Sequence, residues 1–142
     1  MVSLLARCFF IFFAFSLTST SAQAETKPNL VLLPIDVSEN EAEFESEYGS
    51  ALQEGLQERY TVFYGAMVER ALEKEYDKID CNTEICNQNV AIAFNGELIA
   101  DGSVKAIQGG YLLKLVVSNV ITGEVIETRT IPCEGCNSFS VI

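Results

Sequence analysis

The stretch from Glu97 to Ile131 constrains this chain most, because it reads as three strands in succession. The predicted strands are 97–107, 111–120 and 124–131. Gln108-Gly109-Gly110 and Ile121-Thr122-Gly123 separate them, with glycine where a tight reversal needs positive φ. In the middle strand Leu113, Leu115 and Val117 alternate with Lys114, Val116 and Ser118, which makes one face apolar and the other mixed. A meander with one apolar face is not stable alone in water, so it requires covering helices from upstream.

Those helices are legible. Leu30 to Val37 (LVLLPIDV) has the length and composition of a strand buried on both faces, and Pro34 within it signals a bulge or an edge. Phe44, Tyr48, Leu52 and Leu56 fall four residues apart and predict an amphipathic helix ending near Arg59. Tyr60 to Tyr64 is β-branched and aromatic, a second short strand. Gly65 opens a second helix, Ala66 to Tyr76, with Met67, Ala71 and Leu72 expected inward. A third helix, Glu84 to Phe94, turns Ile85, Val90, Ala93 and Phe94 inward and stops at Asn95-Gly96 in a left-handed cap. The order βαβαα followed by a three-strand antiparallel meander predicts a mixed α/β fold with helices packed on a mixed sheet.

Residues 1–24 are set apart from the fold. Arg7 gives a short basic start, Cys8 to Leu17 is an almost unbroken apolar run, and Ala22-Gln23-Ala24 has the small-x-small form of a signal-peptidase site. Cleavage is expected before Glu25. The run is about half of the roughly 20 residues a membrane span requires, and Cys8 begins it rather than following it, which argues against lipoprotein processing there. Removing 24 of the 142 residues leaves 118, enough for the single α/β domain expected over 25–142. With Arg7 gone, 8 basic residues oppose 20 acidic ones, for a formal charge of −12. Such a chain repels nucleic acid and anionic lipid headgroups, so neither is an expected partner.

Four cysteines remain in two close pairs, Cys81 with Cys86 and Cys133 with Cys136. An even count in an oxidising compartment favours two disulfides, and three connectivities are open. A six-residue ring stabilises by roughly 2 kcal/mol and one of about 50 residues by roughly 4 kcal/mol. Local pairs are nonetheless favoured, because each pair lies in a polar, loop-like stretch.

LVLLPIDV, the helix around ALQEGL, YTVFYGAMVERALEKE, a cysteine loop and FNGELIADGSVKAIQGGYLLKLVVSNVITGEVIETRT together resemble the TolB amino-terminal-like domain group. That group includes domains of the curli secretion channel, of penicillin-binding-protein activator lipoproteins and of flagellar envelope accessory proteins. Ala100-Asp101-Gly102-Ser103-Val104, Gly109-Gly110-Tyr111 and Ile121-Thr122-Gly123-Glu124-Val125 carry most of the resemblance. It implies a mixed α/β domain acting as an envelope adaptor or assembly factor that binds another envelope protein, with no shared catalytic residues. This chain ends soon after Cys136, without the repeat or channel regions of the larger members.

The composition agrees with a non-enzymatic reading. There is no histidine, which removes the commonest general base, the Ser-His and Cys-His pairs and the commonest zinc ligand. Asp101, beside Gly102 within a strand, is the one carboxylate candidate for an acid or base, and a turn or hydrogen-bonding role is the expectation. The alternative enzyme is a thiol-disulfide oxidoreductase using Cys133 and Cys136. Redox CxxC motifs gain a low thiolate pKa from a following helix start, whereas Asn137-Ser138 are poor helix formers and Glu134 repels a thiolate. Zinc on the four cysteines is disfavoured by the C-x4-C spacing and by secretion. Acids at positions 39, 41, 43, 45 and 47 suggest a solvated helix start; the alternative of a cation or small-ligand site there lacks the glycine and Asp/Asn ligand pattern of a calcium loop. No catalytic, cofactor or metal residue is therefore assigned.

Overall fold

A computed structural model describes residues 26–78 and 82–135. The expected signal segment, Cys81 and Cys136 lie outside these residues. The elements are β1 (Asn29–Leu32), β2 (Asp36–Val37), α1 (Glu45–Gln57), β3 (Thr61–Phe63), α2 (Ala66–Tyr76), α3 (Thr83–Ala93), β4 (Leu98–Ile107), β5 (Gly110–Asn119) and β6 (Val125–Glu134). A 3-10 turn, Glu39–Phe44, leads into α1.

One mixed sheet carries them, in the order β3-β1-β4-β5-β6, with β2 paired to β4 beyond β1. β1 lies parallel to both β3 and β4, and β4, β5 and β6 form the antiparallel meander. LVLLPIDV is thus two strands along the same neighbour, interrupted at Leu33–Ile35 where Pro34 cannot donate to a ladder. The chain steps outward from β1 to β3 and back past β1 to β4. Crossovers of one hand running in opposite directions leave their helices on opposite faces.

The two cores follow this division. On one face Leu30, Leu32, Leu98, Ala100, Val104, Leu115 and Val117 meet Tyr48 and Leu56 of α1, with Phe44 and Leu52 at the margin. On the other, Val31, Leu33, Ile99 and Val120 meet Val68 and Leu72 of α2 and Val90 and Ala91 of α3. β1 is therefore apolar on both sides, as expected for a central strand. α1 approaches its surroundings so closely that a Cβ at Gly49 would lie 1.6 Å from the Tyr64 hydroxyl oxygen. That hydroxyl is pushed above its usual range by burial, then by Glu45 and Glu69.

Several inward assignments shift by one residue. Val68, not Met67, is the buried partner of Leu72, and Met67 is 51% exposed. In α3 the buried residues are Cys86, Val90 and Ala91, while Ile85 and Ala93 are exposed and Phe94 is half-buried. Asn82 caps α3 by accepting from the Ile85 N–H, and Asn95 at φ 52° ends it as expected.

Two of the four cysteines lie in regular elements rather than loops. Cys86 is fully buried within α3, and Cys133 sits inside β6 opposite Tyr111 because β6 runs on through Glu134 rather than stopping at Ile131. Both sulfurs are disulfide-bonded.

β6 forms one border of the sheet. Its register shifts opposite Val117/Ser118, leaving Ile126 as an extra residue. At the far end the Gly135 N–H donates to the Gly109 carbonyl. By the alternation of an antiparallel ladder, odd-numbered residues from there back to Glu127 turn their backbone groups to β5. Pro132 therefore stands on the outward side, where a missing N–H breaks no bond within the sheet.

Candidate functional site

The sheet is covered unevenly. α2 and α3 lie side by side on one face, whereas α1 is alone on the other and reaches no further than β5. Register puts Leu113 opposite Ile131, Leu115 opposite Arg129 and Val117 opposite Glu127, all on the α1 side. A groove of about 350 Å³ runs between α1 and these strands. Its helix wall is Ala51, Leu52, Gly55, Leu56, Glu58 and Arg59, its floor Leu113 and Leu115, and its outer wall Glu127, Arg129 and Ile131.

Two properties set this groove apart from the rest of the surface. Ile131 is 52% exposed although it extends the apolar floor, so water is in contact with aliphatic surface that the fold leaves uncovered. Gly55 lies within α1 and faces the groove, yet a Cβ there would meet nothing within 4 Å. A helix-interior glycine costs about 0.5–1 kcal/mol relative to alanine, and no contact among the described residues requires it.

Charge closes one end. Arg59 Nη1 donates to Glu127 Oε2 at 3.1 Å, and Arg129 Nε donates to Glu127 Oε1 at 2.5 Å. The hydrogen bond from Arg129, reinforced by both positive charges, holds the Glu127 carboxyl below the usual glutamate range. The Arg59 guanidinium also stands 5.3 Å from the Tyr60 ring centre. Both arginine side chains remain more than half exposed, with N–H donors to spare.

None of the residues expected from sequence to matter lies in this groove. Asp101 is on β4 opposite Val116, hence on the α2–α3 face, at the edge of two shallow clefts that also hold Glu84, Asn87 and Ser118, and Asp36, Ser103 and Lys114. Partial burial raises its carboxyl above the usual range. Cys86 and Cys133 belong to different elements, and a bonded sulfur is no zinc ligand. The acidic stretch 39–47 forms the 3-10 turn and the first residues of α1. Among the described residues no cluster of three or more His, Cys, Asp or Glu side chains is arranged to hold a metal. The groove residues had a signal of their own: Glu127, Arg129 and Ile131 alternate in step with Leu113 and Leu115, and Gly55 interrupts a helical period without a turn to serve.

No known family pattern matches the sequence, and no curated protein does. Solved structures with the same fold are nevertheless plain. The LpoB C-terminal domain from Escherichia coli superposes with a TM-score of 0.57 at 16% identity, covering 81% of this chain and 89% of that one. The corresponding domain from Salmonella enterica gives 0.55 at 16%, covering 80% and 87%. Lipoprotein GNA1162 from Neisseria meningitidis gives 0.54 at 13%, covering 75% and 79%. The mixed α/β fold that the strand and glycine pattern leads one to expect is the fold the chain has, and it is the fold of the LpoB C-terminal domains.

Proposed function

We infer that this protein is a non-catalytic adaptor or assembly module of the bacterial cell envelope that acts by binding another envelope protein. The observation that carries this reading is the open apolar groove beside α1, with its arginine-flanked end, in a fold shared with LpoB C-terminal domains and a lipoprotein. Residues 1–24 act as a cleaved signal peptide, 25–142 form the exported domain, and the mature protein works in the periplasm or outside the cell. Cys81–Cys86 and Cys133–Cys136 are the expected bridges; the bonded state of Cys86 and Cys133 supports disulfide formation as such. Among the described residues no helix is long and apolar enough to cross a membrane.

In-cell crosslinking followed by affinity capture tests this. The wild-type protein recovers an envelope protein at constant ratio, and Ile131→Glu, on an exposed groove position, loses it without unfolding. Repeated preparations that yield nothing above an untagged control would overturn the reading.

A further inference from the structure

We propose that a second copy of this chain occupies the groove, inserting the exposed ridge of its α3 beside α1 to build a head-to-tail assembly. Beyond the binding function above, this names an occupant for the same groove, and it rests on that groove being a docking site.

The ridge is the shape the groove lacks. Ile85 and Ile92 are 45% and 53% exposed, seven residues apart on one stripe of α3, with exposed Ala93 beside them. Two turns of helix separate their origins by about 10 Å, which matches about three residues of the strand floor. On the groove side Ala51 and Gly55 fall four residues apart and offer no bulk, so a second helix can approach α1 closely. The face opposite already shows the arrangement, with two helices side by side on one sheet.

Charge sets the direction. Glu84 stands in the first turn of α3, next to Ile85. Arg59 and Arg129, with donors left over, stand at the end of the groove where α1 finishes, and Glu58 shares that rim. Placing Glu84 against the arginines runs the incoming α3 antiparallel to α1, so the two helix dipoles oppose one another. Groove and ridge lie on opposite faces of the sheet, so the contact is heterologous and each added copy leaves one of each surface free. A single helix ridge is smaller than a standard protein interface, and with every copy strongly acidic the association is weak and tightens as moderate salt screens repulsion. A copy in the groove excludes an envelope partner from it.

Analytical ultracentrifugation of the disulfide-intact exported protein tests this with two variants, Ile131→Glu to spoil the groove and Ile92→Glu to spoil the ridge. Both positions are about half exposed, and far-UV circular dichroism with thermal melts checks their folding. Wild type shows mass rising with concentration, and each variant alone weakens association at least about tenfold. Mixed together, the two variants form a 1:1 dimer and nothing larger, because one intact groove meets one intact ridge. A wild-type protein that stays monomeric at about 1 mM, or a variant mixture that fails to associate, overturns the proposal. Ile131→Glu abolishing envelope capture in a protein that never self-associates would remove this inference and leave the adaptor reading standing; self-association without capture would do the reverse.

Discussion

The two sides of α1 differ sharply in how they are packed. Toward β3 the helix is set so that a Cβ at Gly49 would run into the end of the Tyr64 side chain, which would have to move aside. Toward β6 it faces a groove in which Gly55 touches nothing. The same residue type in one helix thus answers opposite needs, close packing at one end and vacancy at the other. A protein can close one flank of a helix for stability and leave the other unfinished for a visitor.

The sharpest way to break this contrast is to truncate side chains on both flanks. Leu32→Ala, fully buried beneath α1, is expected to cost about 2–5 kcal/mol in urea denaturation, whereas Ile131→Ala in the groove wall costs under about 1 kcal/mol. Equal losses would mean that the groove is part of the core.

The glycines give the next largest effect, and opposite signs. Gly49→Ala is expected to destabilise by about 1–3 kcal/mol, and a Tyr64→Ala background should remove most of that penalty. Gly55→Ala, by contrast, should stabilise by about 0.5–1 kcal/mol. Thermal melts of the four proteins measure both.

The smallest effect concerns the groove's charged end. Glu127→Gln should cost less than about 1 kcal/mol, since the ion pairs are largely exposed. The sign with pH follows from the lowered carboxyl: the contribution is present above the ordinary glutamate range and disappears as pH falls through the depressed folded value. Denaturation curves of the two proteins should therefore differ at neutral pH and converge in acid. Convergence at neutral pH instead would show that the arginines do not hold Glu127 in solution.

Much of the architecture was legible because its signals are local. Alternation at 113–117 and glycines at 109 and 123, both at positive φ, fixed the meander, and the second helix begins and ends where its pattern predicts. What periodicity gives less well is the centre of a stripe. In α2 the apolar positions 67, 68, 71 and 72 span a wide arc, and only packing against α3 and the sheet decides that Val68 goes in and Met67 out. In α3 the inward arc is displaced because Cys86, which lies in a stretch that reads as a polar loop, is a core residue. β6 outran its expected end at Ile131, since a proline is tolerated on the outward side of a border strand. The groove's residues carry a period in the sequence, but the groove as a shape was not legible, because it arises from where α1 stops across the sheet, a relation between elements far apart in sequence.

The extra residue at Ile126 and the imino acid at Pro132 bracket the border strand and leave little straight, donor-complete backbone for a foreign chain to template upon, while the opposite border is only three residues long. Molecules crowded together are thereby steered away from cross-β growth, and whatever contacts they make must be made by side chains.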